Sequence, residues 1–471
     1  MSPSMLAIVL SSLVFVVLVS AAPTSLTLKR AFPNHGMNLS QLRAMDMKRH
    51  GRILQASVVN FPVYGTADPI AAGLYYTSVH LGSPPREFHV TIDTGSDMSW
   101  VNCVSCNGCP QTSNLRIKLN YFDPESSSTS SVIPCSHHKC AICSTNNHCS
   151  FKVQYEDGGE TSGYIISDLM HVADISEGLV APNSSVPLVF GCSNMRTGRL
   201  TSYESALDGI FGFGKDDTSL ISQLYSQGKA SRVFSHCLKG DTSGGGILVL
   251  GEVVEPNMSY TPLIPKQPHY NLNLESISVN GHTLQIDPTV FITSSNKGVM
   301  IDSGSTLVFY IEEAYNSIID AINSRIPRSI GTTVSNGFHC YLVPTSVLSI
   351  FDIFPPISLN FANHASMVLR SQDYLIHSPT FYGGLWCLGF HKTQDITILG
   401  DIILKDKIIV YDLASQQIGW TNYNCSLPVN VSAPSSGKGR NEKGGASLCD
   451  RPEKLTMVIL AFITHMILIL I

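Results

Sequence analysis

Hydrophobic and polar residues alternate with a period of two along much of this chain, the pattern of half-buried strands. Leu74-Tyr75-Tyr76-Thr77-Ser78-Val79-His80-Leu81 alternates, turns at Gly82-Ser83-Pro84-Pro85, and resumes as Phe88-His89-Val90-Thr91-Ile92. Phe151-Lys152-Val153-Gln154 leads through Tyr155-Glu156 to an Asp157-Gly158-Gly159 turn, and a strand resumes at Gly163, which predicts a hairpin. Leu272 to Val279 runs into Asn280-Gly281, a second hairpin signal. A period near 3.6 appears in Ile311–Ile322, where Tyr315, Ile318, Ile319 and Ile322 form the core-facing stripe of an amphipathic helix. Composition agrees with the strands. Only 14% of residues are charged and 44% are hydrophobic, with 36 Gly and 25 Pro, so the expected class is all-β. At 471 residues, two lobes with ample core fit the length.

The ends differ in character. Met5–Leu10 and Leu13–Val19 are apolar and give way to Val19-Ser20-Ala21, which reads as a signal peptide over 1–21. Residues 22–67 are polar and basic (Lys29-Arg30, Arg43, Lys48-Arg49, Arg52), either a solvated linker or a removable pro-segment. In the second case its cations would pair with an acidic site until the pH falls. Past Tyr423, a Ser/Gly/Lys-rich stretch precedes Met457–Ile471, an apolar run shorter than the about 20 residues of a spanning helix. Small residues Gly444, Gly445, Ala446 and Ser447, a polar spacer and that tail match a GPI-attachment signal, with a short transmembrane anchor as the alternative.

Thirteen cysteines in a chain read as secretory point to disulfides. The dense insert Cys103, Cys106, Cys109, Cys135, Cys140, Cys143, Cys149 has Cys-x-x-Cys spacings, but not the matched pairs of a zinc site, so no metal and no cofactor are expected. The net charge of −5 and the absence of a long basic run argue against nucleic acid as partner. Acceptor motifs for N-glycosylation stand at Asn183, Asn257, Asn424 and Asn430, with Asn38 in the basic segment.

The chemistry lies in a repeat. Val90-Thr91-Ile92-Asp93-Thr94-Gly95-Ser96 returns as Val299-Met300-Ile301-Asp302-Ser303-Gly304-Ser305, with the aspartates 302 − 93 = 209 residues apart. Each copy is followed by an apolar-Gly passage, Leu207-Asp208-Gly209-Ile210-Phe211-Gly212-Phe213-Gly214 and Ile396-Thr397-Ile398-Leu399-Gly400-Asp401, so the lobes read as duplicates. Two carboxylates on facing loops share one proton over an acidic range. One activates water and the other protonates the carbonyl under attack. Glycine lets the loops approach, Thr94 and Ser303 hydroxyls would tie them together, and Ser96 and Ser305 would bond the outer carboxylate oxygens.

From about Gly73 to Cys425, these residues resemble the pepsin-like aspartic proteases, through both Asp-hydroxyl-Gly-Ser loops, Trp100, Tyr155 and both apolar-Gly passages. The resemblance implies a bilobal all-β fold, Asp93 and Asp302 as catalytic pair, and Thr94, Gly95, Ser96, Ser303, Gly304 and Ser305 in support. It also implies a flap carrying Tyr155, Asp157 and Gly158 over bound peptide, supported by Trp100. The cysteine-rich insert is similar to that of the atypical plant subgroup that includes the nepenthesins. That likeness implies bridges Cys103–Cys106, Cys109–Cys192, Cys135–Cys149, Cys140–Cys143, Cys237–Cys425 and Cys340–Cys387, with Cys449 left in the tail. The second triad is Asp-Ser-Gly and the flap is acidic at Glu156 and Asp157, a change expected to bear on substrate preference and pH profile.

The expected organisation is a signal peptide 1–21, pro-segment 22–67, N-terminal lobe 73–258 with insert 103–149, C-terminal lobe 259–427, linker 428–447 and GPI signal 448–471. Attachment would fall at Gly445, Ala446 or Ser447. The expected protein is a monomeric, surface-anchored aspartic endopeptidase acting on proteins or peptides at acidic pH. Two other classes fit the residues less well. A non-catalytic binding protein on the same fold has no need of both aspartates and Tyr155, and a two-carboxylate glycosidase has no need of the duplicated loops.

Overall fold

Phe88, Val90 and Ile92 point into the core from one face of the strand Arg86–Asp93, and the strand ends on the buried Asp93. The computed structural model describes residues 59–69, 74–138, 140–171, 185–241, 244–294, 297–344, 349–378, 384–429 and 431–432. Contacts divide the chain into Met1–Gln55 and Ala56–Ile471, and every described residue belongs to the second unit.

The fold is all-β, the bilobal architecture of the pepsin-like proteases. Its largest sheet joins the two sequence halves. Strands Ser259–Pro262, Gln417–Asn422 and Lys407–Asp412 come from the second half and pair onward to Val233–Leu238 and Gly246–Leu250. The sheet then continues through Val59–Thr66, Leu74–Leu81 and Arg86–Asp93 to Gly209–Gly212 and Trp100–Asn107. Beyond these lie Ser185–Thr197, Glu160–His171, Cys149–Gln154 and Ile142–Cys143. The strand Val59–Thr66 falls within the stretch assigned to the pro-segment. It is nonetheless central, pairing with Gly246–Leu250 on one side and Leu74–Leu81 on the other, with Phe61 and Val63 buried.

The two halves repeat one strand arrangement. Arg86–Asp93 lies parallel to Gly209–Gly212, which also meets Trp100 in antiparallel register. Gly298–Ile301 lies parallel to Ile396–Leu399, which meets Phe309 in the same sense. The anticipated helix spans Glu312–Asn323, with Ile318, Ile319 and Ile322 buried and Tyr315 packed against the core. The Asn280-Gly281 turn joins Leu274–Val279 to His282–Thr283, both residues at positive φ (51° and 77°), the turn that twists with its strands.

Twelve cysteines form six disulfides, but four of the expected pairings are corrected. Cys237–Cys425 and Cys340–Cys387 are present. In place of Cys103–Cys106 and Cys109–Cys192 stand Cys103–Cys192 and Cys106–Cys109. The reason is local. Cys103 and Cys106 both lie on the strand Trp100–Asn107, where three residues span about 10 Å, beyond disulfide reach. Cys103 instead lies beside Cys192 on the neighbouring parallel strand, Cα to Cα 5.4 Å, both buried. In place of Cys135–Cys149 and Cys140–Cys143 stand Cys135–Cys143 and Cys140–Cys149 at 5.3 and 5.5 Å, since the folded insert brings those α-carbons within disulfide reach.

Candidate active site

Both Asp-hydroxyl-Gly loops leave the end of a strand whose apolar residues anchor it in the core. Asp93 closes Arg86–Asp93 and Asp302 follows Gly298–Ile301. Each is pinned by a neighbouring strand: Phe213 N–H donates to Asp93 O (2.7 Å), and Asp302 N–H donates to Leu399 O (3.0 Å).

The side chains repeat this symmetry. Gly95 N–H donates to Asp93 Oδ1 and Gly304 N–H to Asp302 Oδ1, both at 2.8 Å. The Ser96 hydroxyl donates to Asp93 Oδ2, and the Ser305 hydroxyl to Asp302 Oδ2 at 2.6 Å. Between the loops, Ser303 N–H donates to Thr94 Oγ1 (2.9 Å), Thr94 N–H to Ser303 Oγ (3.3 Å), and the Ser303 hydroxyl to Ile92 O (2.8 Å). Each residue of the two Asp-hydroxyl-Gly-Ser repeats is thus brought into one cluster, with Asp93, Thr94, Asp302 and Ser303 buried and the glycines and outer serines nearer the surface.

The glycines are required by contact, since a Cβ at Gly304 would collide with Asp93 Oδ1. Burial raises the Asp93 pKa, and the nearby Asp302 carboxylate raises it further. The Ser96 and Gly95 donors oppose the shift without cancelling it. The pair therefore carries a proton to a higher pH than an ordinary carboxyl.

The hairpin of Cys149–Gln154 and Glu160–His171 supplies Tyr155 at its turn. Trp100 Nε1–H donates to the Tyr155 hydroxyl (2.8 Å), and Tyr155 also interacts with Ser96, so a polar chain runs from Trp100 towards Asp93. Burial, reinforced by Asp93, raises the Tyr155 pKa, which keeps the phenol protonated. Asp157 and Gly158 lie at the exposed tip. There the Asp157 carboxylate accepts from Gly159 N–H at 2.8 Å, and Gly158 adopts φ +81° over open space.

Four residues to which the sequence assigns no role also surround the site. Arg196 lies buried with its guanidinium 4.5 Å from the centre of the Trp100 ring, and it donates to the carbonyls of Leu207 and Leu200. Asp401 is buried beyond Gly400, and its pKa is driven well up by burial, against Lys405 and with Asp302. Tyr411 and His236 sit beneath Thr94. Arg196 follows an exposed Met195 in a strand of mixed character, and Tyr411 ends the apolar run Ile408-Ile409-Val410, so neither position carried a signal.

Asn257 and Asn424 are exposed, whereas Asn183, Asn430 and residues 445–447 lie outside the described residues. Among the described residues, no three His, Cys, Asp or Glu side chains are grouped to hold a metal ion, and no helix is long and apolar enough to cross a membrane.

Family models described as xylanase inhibitor N-terminal and C-terminal match residues 75–252 and 269–422. The chain belongs to the plant nepenthesin-type pepsin-like aspartic proteases. It is 34% identical to Aspartic proteinase 39 of Arabidopsis thaliana over 90% of each chain, and 36% identical to Aspartic proteinase 36 of the same plant over 85% of this chain and 84% of the relative. Aspartic proteinase nepenthesin-1 of Nepenthes gracilis is 29% identical over 83% of this chain and 88% of its own. Such an enzyme is an aspartic-type endopeptidase acting on proteins or peptides. In this member of the family, the second triad keeps its hydroxyl through Ser303, which forms both the donor and the acceptor bonds of the interlock.

Proposed function

We propose that Asp93 and Asp302 hydrolyse peptide bonds directly, with one proton shared between them and a water held by both carboxyls. The ionised carboxyl takes a proton from that water as it attacks the scissile carbon. The protonated one donates to the carbonyl oxygen, giving a neutral tetrahedral diol. The carboxyl that took the water's proton then passes it to the departing nitrogen while the other takes one back from a diol hydroxyl, and C–N cleavage releases the amine and the acid. The upward shift from burial and mutual repulsion supports one proton held by the pair at the start of the cycle. Tyr155, a neutral phenol beside Ser96, closes over the peptide.

The observation that carries this reading is the double set of donors on the two buried carboxyls, Gly95 with Ser96 and Gly304 with Ser305. Pepstatin-sensitive cleavage of a denatured protein between about pH 3 and 6, the range of a shared-proton dyad, tests it. Asp93→Asn should abolish the cleavage. Full activity in that variant would exclude the mechanism.

The enzyme enters the secretory pathway through residues 1–21 and is held at the outer face of the plasma membrane by a GPI anchor near Gly445, Ala446 or Ser447. The six disulfides support an oxidising compartment. Release by a phosphatidylinositol-specific phospholipase tests the anchor, and retention would favour a short transmembrane segment. Glycans at Asn257 and Asn424 fit their exposure. The removable segment ends before Val59, because cutting later would take a central strand from the sheet. N-terminal sequencing of the mature enzyme tests that boundary.

A further inference from the structure

We propose that Tyr411 and His236 are positioning residues of the active site, holding Thr94 in the hydroxyl interlock that keeps the two catalytic loops in register. The proposal rests on the reading of Asp93 and Asp302 as the reacting pair.

Thr94 Oγ1 accepts from Ser303 N–H and also lies 3.4 Å from the Tyr411 hydroxyl, which in turn lies 3.3 Å from His236 Nε2. All three side chains are buried. The interlock is therefore not self-contained on the Thr94 side. It continues through two side chains into the sheet that joins the halves, where Val233–Leu238 and Lys407–Asp412 are antiparallel neighbours.

The Tyr411 ring has little freedom to move. It stacks on Phe234, with centroids 4.5 Å apart and planes within 4°, and meets Tyr270 edge-on at 4.9 Å. The Tyr270 hydroxyl donates to Phe213 O (2.6 Å), and Phe213 N–H donates to Asp93 O. One packed unit thus reaches the backbone of the first aspartate and the side chain of the residue after it. Rings locked in this way place a hydroxyl in one position, which is what a positioning group requires.

The chain is also electrically neutral in the acidic range. Burial lowers the His236 pKa to about 3, so its imidazole is uncharged through the acidic range above that value. Burial and the facing Asp302 carboxylate raise the Tyr411 pKa, against the Thr94 hydrogen bond, so the phenol keeps its proton. Asp302 is the charged group that faces this chain, with Tyr270 the other titratable neighbour. No ion is thereby placed under the dyad at working pH.

Without the Tyr411 hydroxyl, Thr94 can rotate off the Ser303 amide and the loops can separate. Misplacement by about 1 Å is enough to cost about 100-fold in rate. Looser loops also admit water and weaken the mutual repulsion of the carboxyls, so the raised pKa of the pair falls back and the alkaline limb of the rate profile moves acidward.

The test uses the mature enzyme and the variants Tyr411→Phe, His236→Leu, His236→Gln and Tyr411→Phe/His236→Leu. Expected for the first two is a fall in kcat of about tenfold or more with KM within about twofold, and an alkaline limb displaced to lower pH. The double variant should lose no more than the worse single one, because the two residues act as one chain. His236→Gln, which can present a polar atom near the Nε2 position, should recover most of the loss. Wild-type kcat with an unmoved limb in Tyr411→Phe, or multiplicative losses in the double variant, would overturn the proposal. Should Tyr411→Phe fail to fold, His236→Leu against His236→Gln decides by the same criteria. Titration of the ¹³C-labelled aspartate carboxyls reads the same displacement without turnover, so an inactive wild type counts against the proposed hydrolysis while the titration still decides this point.

Discussion

A Cβ placed on Gly95 would stand 2.6 Å from the Asp302 carboxyl, so the first loop approaches the second aspartate as closely as a main chain can. Gly304 stands in the same relation to Asp93. The glycines set the separation of the two carboxyls, and that separation sets how strongly they share a proton. Gly95→Ala is therefore expected to lower kcat by about 100-fold through displacement of the loop by a fraction of an ångström or more. The sheet strands should be untouched. Steady-state kinetics with a thermal melt separates the two effects; an unfolded variant, or one with unaltered kcat, would contradict the expectation.

Asp93 gives a prediction about stability whose sign is opposite to that of most carboxylates. Its folded pKa lies above the ordinary value of 3.8, chiefly through burial and then through Asp302. Between the two pKa values the folded state binds more protons than the unfolded one, so the group stabilises the fold fully at low pH and loses that contribution as pH rises through the folded pKa. Asp93→Asn removes the liability along with the activity. The variant should melt at the same temperature as wild type near pH 3 and higher than wild type at pH 7. Calorimetry at the two values checks this, and a wild type that is equally stable or more so at pH 7 would count against the raised pKa.

The duplicated loops, the hairpin carrying Tyr155 and the helix at 312–323 are legible because each is a local pattern: apolar residues into an aspartate, a glycine turn between alternating strands, a 3.6-residue stripe. The strand Val59–Thr66 is not. Val59, Phe61 and Val63 alternate as a strand should, but Pro62 interrupts the run and a basic stretch precedes it, so it was assigned to the segment before it. Tyr411 and His236 were hidden for a different reason. Both sit in short strands buried on both faces, where a polar side chain looks like an isolated exception, and only the packed sheet places them under Thr94, 317 and 142 residues away in sequence (411 − 94 and 236 − 94).

Cys237–Cys425 and Cys340–Cys387 pair as expected, but the four bridges of the insert depend on the same three-dimensional information. The structure makes the pairing testable. A proteolytic map without reduction should yield Cys106–Cys109 within one stretch of chain and a cross-link joining Cys103 to Cys192. A fragment linking Cys109 to Cys192 would reverse this assignment. The Cys237–Cys425 bridge closes a separation of 188 residues and ties the end of the second half to the joining sheet. Its removal by paired serine substitution is expected to cost about 4–5 kcal/mol, as chain-entropy arguments give for long loops.

Trp100 joins three parts of the site that come from separate segments. Its ring is covered by Arg196, its Nε1–H holds the Tyr155 hydroxyl, and its strand pairs with Gly209–Gly212, which flanks Asp93. Trp100→Phe keeps an aromatic ring in the core but removes the donor and weakens the cation contact. The lost hydrogen bond is worth about 1 kcal/mol and the buried cation–π contact about 1–2 kcal/mol. Together these correspond to a fall in kcat/KM of roughly 30- to 150-fold if both act on the closed hairpin. Tyr155→Phe breaks the same bond from the other side but leaves the cation contact, so it should lose the hydrogen-bond share alone, roughly fivefold. If the two residues act through that bond, the double variant falls less than the product of the single losses. Fully multiplicative losses would mean that Trp100 supports the lobe rather than the flap.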